Sequence, residues 1–448
     1  MNKSYTRLML KTIIFIFLLS MIHVQAETEK ENNLAEKIKQ GIRSGKMAYR
    51  LTEPEEVIRI LGLPEEDSTR KEGGMLVKEL KYPGILMIFG KMRDDPTPFT
   101  LRSISVGNKS MDIGKDRKLV LRSNEDLQKI DAFQGFQDIS LFHLDLRDKI
   151  KWLESLRFDT LTEWPPPERM PEGFSPSALL EGGKNPGLGL RSLYEGGING
   201  QGVGIAIIDQ PLLLGHVEYA SRIIRYDATG LGDFSPAMHG SPVVSIAVGK
   251  TVGVAPRAVL TYFAVPMWEA DNRHYVTAMN KIFMLNNSLS EEETIRVVSI
   301  STGMFPHYPN YDEWKQVVRR AEEQNILVIT CDQSFVKYGL LSWIPGTDLD
   351  KPENYRLGKY HAEDDMVRVP GGCRTLASHR GVNVYWFDWE GGMSWGAPYI
   401  AGLAVLAYQI NPKSKPPEIM KALVKSAVKT EAGPVVNPRG FLSLMRTQ

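Results

Sequence analysis

Three side chains of the types that hydrolyse acyl bonds stand in separate contexts of this 448-residue chain: the carboxylate of Asp209, the imidazole of His239 and the hydroxyl of Ser394. Ser394 lies in Gly391-Gly392-Met393-Ser394-Trp395-Gly396-Ala397-Pro398, at the start of an apolar stretch that continues through Ala407. A serine hydroxyl is inert at its own pKa and needs a base within hydrogen-bond reach before it can attack a carbonyl carbon. His239, which opens His239-Gly240-Ser241-Pro242, is the candidate base, taking the Ser394 proton and returning it to the leaving amine. Asp209 closes the apolar run 203–208 and is the candidate for holding the imidazole in its productive tautomer and stabilising the cation. Together these residues perform acyl transfer through a covalent serine intermediate, with the Ser394 backbone N–H facing the developing oxyanion.

In this order, acid then base then nucleophile, and with these neighbours, residues from about 190 to the C-terminus resemble the subtilases, the subtilisin-like serine peptidases. Gly253-Val254-Ala255-Pro256, after the histidine helix, is a further hallmark of that family. The resemblance implies an endopeptidase acting on extended peptide or protein substrates, with Asp209, His239 and Ser394 as its triad. Val297-Val298-Ser299-Ile300-Ser301-Thr302-Gly303 is similar to the family strand that lines the primary specificity pocket, which makes Ser301 and Gly303 substrate-binding candidates. His216, seven residues after Asp209, matches a family position that is not catalytic. No organic cofactor is implied. Calcium is common in the family, but no loop here names its ligands, and Glu363, Asp364 and Asp365 beside His361 read as an acidic surface turn.

Two departures stand out. The family follows its aspartate with Ser or Thr and then Gly, whereas here Gln210-Pro211 follows, and proline forces that loop to turn differently. The family's oxyanion asparagine is missing from Ile326-Leu327-Val328-Ile329-Thr330-Cys331-Asp332-Gln333-Ser334, so its slot falls to Asp332, Gln333 or Ser334. Asp332 donates a hydrogen bond only when protonated, which predicts acid-shifted activity, whereas Gln333 donates directly. Some subtilases carry aspartate there. The departures also fit a degenerate subtilase that binds a peptide or partner without cleaving it.

Such a site needs a scaffold that brings distant residues to one edge. Short β-branched runs at 203–208, 258–263, 296–300 and 326–329 alternate with helical patterns after His239, around 275–285 and at 314–324. That alternation predicts an α/β fold with a doubly wound, mostly parallel sheet, whose sites lie beyond the carboxyl ends of the strands. The apolar helix after Ser394 reads as buried on all sides, with Pro398 placed where a backbone N–H has no intrahelical partner. This catalytic domain is expected over 189–448.

Ahead of it, Lys3, Arg7 and Lys11 precede an apolar run from Thr12 and a small-residue site at Ala26, which predicts a Sec-type signal peptide over 1–26 and export to periplasm, cell surface or medium. Residues 27–46 read as a polar segment. A small α/β domain is expected over 47–136, with a capping box at Thr52-Glu53-Pro54-Glu55 and a hairpin turning at Pro83-Gly84. The subtilase resemblance allows this domain to be a removable propeptide, a binding module or a structural cap. Residues 137–188 read as an amphipathic helix pair followed by a Pro/Gly-rich linker. Lys plus Arg total 54 against 53 Asp plus Glu, a balance that gives no field to attract nucleic acid or an anionic membrane. The two cysteines, Cys331 and Cys373, fit either one disulfide or two buried thiols.

Overall fold

The computed structural model describes residues 30, 32–42, 47, 51–72, 75–92, 98–106, 109–110, 118–129, 139–228, 231, 235–332, 337–358 and 366–446. The expected signal peptide, Gln333, Ser334 and the acidic turn at 361–365 lie outside them. The described chain divides into two compact units: one runs to Asp148 and takes in Thr162–Pro171, and the other holds Lys149–Leu161 and the chain from Glu172 on.

In the first unit a helix at 32–42 (α1) occupies the segment expected to be only polar, because Leu34 and Ile38 fall on one face and are buried. Helix α2 (Pro54–Leu61) starts one residue later than expected: Glu53 is the N-cap, and Glu56 reaches back to its N–H at 2.8 Å. Strands β1 (Glu66–Glu72), β2 (Met75–Tyr82), β3 (Ile85–Met92), β4 (Thr100–Val106) and β5 (Lys109–Ser110) form an antiparallel sheet in that order. Val57, Leu80, Met87, Phe89 and Ile104 join the helical residues in one core. The edge strand β1 is exposed along its whole length and is tied to β2 by charge pairs, Asp67 with Lys78 at 2.7 Å and Glu66 with Lys81 at 2.8 Å. Charged side chains on an edge strand discourage pairing with another chain. Strands β6 (Leu119–Val120) and β7 (Ile139–Ser140) pair in parallel.

Where a helix pair was expected after 137, the leucines are buried but the backbone is mostly irregular. It contains a single-turn helix, α3 (Ile150–Leu153), and strand β8 (Phe158–Asp159). Four leucines over an irregular path satisfy burial without a helical period. The stretch expected as linker supplies helix α4 (Pro176–Gly182) to the second unit, and this unit resumes at Glu172 rather than near 188.

The second unit continues with α5 (Leu190–Glu195), β9 (Gly204–Asp209), β10 (Ile223–Asp227), α6 (Gly240–Val248), β11 (Val259–Ala264), α7 (Arg273–Asn286), β12 (Ile295–Ile300), α8 (Tyr311–Glu323) and β13 (Leu327–Thr330). The strands form an all-parallel sheet in the order β10-β11-β9-β12-β13. Strand β9 starts the sequence of crossovers and lies at its centre, so the chain winds outward both ways, as the alternating pattern predicts. Both faces of such a sheet are covered, and Gly204–Asp209 is buried at every position. Beyond it come β14 (Tyr338–Trp343), β15 (Tyr355–Leu357), β16 (Val367–Gly372), β17 (Arg374–Ala377), β18 (Tyr385–Asp388), α9 (Met393–Ile410), α10 (Pro416–Lys425), β19 (Val428–Thr430), β20 (Gly433–Val435) and α11 (Pro438–Arg446). Strands β15-β14-β16-β20-β19 form a second sheet and β17-β18-β8 a third. Helix α9 is buried from Trp395 to Tyr408, in keeping with its uniformly apolar sequence.

Candidate active site

Asp209 is the last residue of β9, where the carboxyl ends of parallel strands open a crevice. Its side chain is fully buried, and Oδ1 accepts hydrogen bonds from His239 Nδ1 at 2.8 Å and from the Gln210 N–H at 2.8 Å. An ionised carboxylate only accepts, so Nδ1 carries the imidazole proton and Nε2 is left as the acceptor. Oδ2 is buried with no hydrogen-bond partner. The Gln210-Pro211 departure is absorbed by backbone contacts: the Tyr262 hydroxyl donates to the Gln210 carbonyl, and the Ala237 N–H donates to that of Pro211. His239 is the N-cap of α6, and the next residue has to be small. A Cβ on Gly240 would lie 2.8 Å from the Gln210 carbonyl oxygen.

Ser394 is the second residue of α9, so its N–H belongs to the first turn, where helical amides have no intrahelical acceptor. Its hydroxyl donates to the Ser301 carbonyl at 3.1 Å, and the Ser301 hydroxyl donates back to the Ser394 carbonyl at 2.9 Å. The second bond corrects the expectation for Pro398. That proline lies well inside α9, four residues after Ser394, and removes the N–H that would otherwise bond the Ser394 carbonyl. Ser301 supplies the missing donor. Gly391 turns the chain into this helix at φ 76°, and a Cβ there would approach the backbone of Gly371 to 2.7 Å.

Asp209 and His239 are therefore in direct contact, and Ser394 is linked to the end of β12 through Ser301. The residue after Ser394, Trp395, packs against the His239 ring with centroids 5.4 Å apart. Gly303 lies just past the same strand end, where a Cβ would come within 2.6 Å of the Phe305 ring. Asp332 turns toward the loop after β12: Oδ1 accepts from the Thr330 hydroxyl at 2.7 Å and Oδ2 from the Met304 N–H at 3.1 Å. Each carboxylate oxygen is thus engaged by a neighbouring group near the strand ends. His216 is fully buried, with Nε2 at 2.9 Å from the Val384 carbonyl and Nδ1 accepting from the Glu218 N–H. Burial holds its pKa below the usual value, so it stays a neutral structural histidine. Among the described residues no group of three or more His, Cys, Asp or Glu side chains is placed to hold a metal ion, and no helix is long and apolar enough to cross a membrane.

Sequence reasoning did not connect Cys331 with the site: it follows β13 and sits beside the Tyr338 hydroxyl at 3.6 Å, and that hydroxyl also donates to the Met393 carbonyl at 3.1 Å. Both cysteines are free. Burial pushes the Cys331 thiol up to about 12; Asp209 and Asp332 act in the same direction, while the Tyr338 hydroxyl and the Ser394 side chain oppose it. Burial likewise pushes Cys373 up to about 12. A buried, protonated thiol is a poor nucleophile. At pH 8 the native protein is expected to react with iodoacetamide on the order of 1,000-fold more slowly than a free cysteine, and to yield two alkylated thiols on unfolding without reductant. Fast native alkylation, or a thiol count of zero in mass spectrometry, would contradict this environment.

The second unit is thus a parallel α/β fold that places a buried acid–histidine pair and a helix-borne serine around one end of its central sheet. No protein-family model matches the chain. Over 280 residues it is 25% identical to the subtilisin-like protease PopC of Myxococcus xanthus (strain DK1622), a match that takes in 52% of this chain and 57% of that protein. The chain therefore spans a little over half the length of this curated relative. Among solved structures, the A-subunit of the AB5 toxin from E. coli is 14% identical with a TM-score of 0.45, over 58% of this chain and 98% of that one. Fervidolysin from Fervidobacterium pennivorans, described as a keratinolytic enzyme related to subtilisin, is 17% identical with a TM-score of 0.43, over 56% of this chain and 44% of that one. Over the segment matched in sequence, the chain is similar to a subtilisin-like protease.

Proposed function

We propose that this protein is an exported subtilisin-like serine endopeptidase that cleaves peptide or protein substrates through an acyl-enzyme on Ser394. The observation that carries the reading is the 2.8 Å bond between buried Asp209 and His239 Nδ1, which leaves Nε2 as the free base at the sheet end where Ser394 begins its helix. In the reaction the Ser394 hydroxyl turns from the Ser301 carbonyl toward Nε2. Its proton passes to His239 as Oγ bonds the carbonyl carbon, and the same proton then leaves with the amine. Water repeats the cycle and releases the acid. The Ser394 N–H, at the positive end of α9, stabilises the oxyanion. Ser301 and Gly303, at the end of β12, border the path of an extended substrate. The export reading rests on the sequence of residues 1–26. No cofactor enters any step.

A second reading, a non-cleaving peptide or partner binder, is favoured by one observation: Asp332, one of the three candidates for the oxyanion slot, is engaged as an acceptor. Incubation with a fluorophosphonate probe and with an unfolded protein substrate separates the two. Adduct on the Ser394 peptide together with internal cleavage supports the peptidase. A folded protein that neither labels nor cleaves is the binder.

A further inference from the structure

The residue after the proposed nucleophile is a tryptophan with an unusual anchor. Asp388, the last residue of β18, is fully buried, and its Oδ2 accepts the Trp395 indole N–H at 2.8 Å. Its Oδ1 accepts from Arg157 Nε at 2.9 Å and from the N–H groups of Glu390 and Gly391, both at 3.2 Å. Arg157 is itself buried and comes from the segment Lys149–Leu161, whose strand β8 pairs with β18 and stacks Phe158 on Phe387 at 5.5 Å. One carboxylate therefore gathers a cation from another part of the chain, two amides of the loop that turns into α9, and the indole. The indole in turn lies against the His239 ring, tilted by 31°, and the Trp386 ring packs edge-on against Trp395 at 6.1 Å.

The Asp209 bond holds only one edge of the imidazole, leaving the ring free to swing about that contact. A flat partner on its face removes this freedom and so aims Nε2. The same face, rich in π-electron density, favours the imidazolium formed when Ser394 gives up its proton. We propose that Trp395, locked by the Asp388–Arg157 pair, is a positioning residue that fixes the plane of His239. The segment Lys149–Leu161 is then part of the catalytic unit, and any proteolytic maturation must leave it in place. This rests on the peptidase reading for its kinetic consequence but not for its geometry.

Removing Arg157 or Asp388 breaks a buried ion pair and risks unfolding, so the test uses Trp395. In fluorophosphonate labelling, Trp395→Leu is expected to lower kinact about 10-fold with KI within about twofold of the parent, and Trp395→Phe, which keeps a ring face, to recover most of the loss. A kinact within twofold of the parent in Trp395→Leu overturns the proposal, as do equal losses in both variants that track their melting temperatures. A second readout is independent of activity: the downfield NMR proton of His239 Nδ1, shared with Asp209, is expected to broaden in Trp395→Leu and persist in Trp395→Phe. If the parent protein does not label but this proton responds as described, the peptidase reading fails and the positioning role stands. If the proton is the same in all three proteins, the positioning role fails.

Discussion

Ser394→Ala is expected to abolish covalent labelling and to lower turnover on the order of 10⁶-fold, with the protein still folded. The size follows from what the side chain does: with Oγ gone no acyl-enzyme forms, and only binding and the helix-end amide act on the substrate. The structural cost is small. Oγ donates to the Ser301 carbonyl and lies beside the Cys331 thiol, while the reciprocal bond from the Ser301 hydroxyl uses the Ser394 backbone and survives. Loss of one such bond costs about 1 kcal/mol, or about 2–4 °C in melting temperature for a unit of this size. His239→Ala is expected to lose about as much turnover, because base and nucleophile act as a unit and their losses do not add. Turnover of Ser394→Ala within tenfold of the parent, measured as kcat on an unfolded protein substrate, would remove Ser394 from the chemistry.

Much of the scaffold around that serine is legible in the sequence, for reasons that also mark where legibility ends. The runs forming β9, β11, β12 and β13 are buried on both faces, so most positions are apolar and β-branched residues abound; the signal is local and strong. Strand β1, Glu-Asp-Ser-Thr-Arg-Lys-Glu, buries nothing and has no period to find; only its charge ladder with β2 makes it a strand. Helix α1 is hidden by its polar composition, although Leu34 and Ile38, with Ile42 packed beside them, seat it. The leucines at 141–156 predicted burial correctly and helical geometry wrongly, because burial does not require a period when the backbone wanders.

At the candidate site the same divide holds. His239 and Ser394 announce themselves by small neighbours that let backbones approach closely, and Asp209 by closing an apolar run. Arg157 and Asp388 announce nothing: they are 231 residues apart, and only the folded chain brings them together. Trp395 carried a usable signal, a large aromatic ring inside an otherwise small-residue motif. Its meaning depends on Asp388, which local sequence does not pair with it. The contacts of Asp332 are equally illegible, because which neighbour a carboxylate at a strand end meets is set by one turn of backbone.

Asp209→Asn is expected to lower kcat about 10³-fold, with KM little changed, and the environment of the carboxylate sets that figure. Where an asparagine can rotate its amide toward the histidine, it imposes the wrong tautomer and costs on the order of 10⁴. Here Oδ1 receives two donors at once, the His239 Nδ1–H and the fixed Gln210 N–H. An amide nitrogen in that place would face both of them, so the amide oxygen is held there and the productive tautomer is kept. What disappears is the negative charge that stabilises the imidazolium. A charge-assisted hydrogen bond is roughly twice as strong as a neutral one, and inside a dry site the difference reaches several kcal/mol. The amide nitrogen is then forced into the position of Oδ2, where the buried atom has no partner, leaving an unsatisfied donor that costs about 1–3 kcal/mol of stability. A lower kcat and a lower melting temperature are therefore expected together in this variant, whereas Ser394→Ala loses chiefly kcat. A fall in kcat of less than tenfold would mean that His239 does not depend on Asp209. A fall on the order of 10⁴-fold would mean that the amide turns after all, and that the Gln210 N–H does not hold it.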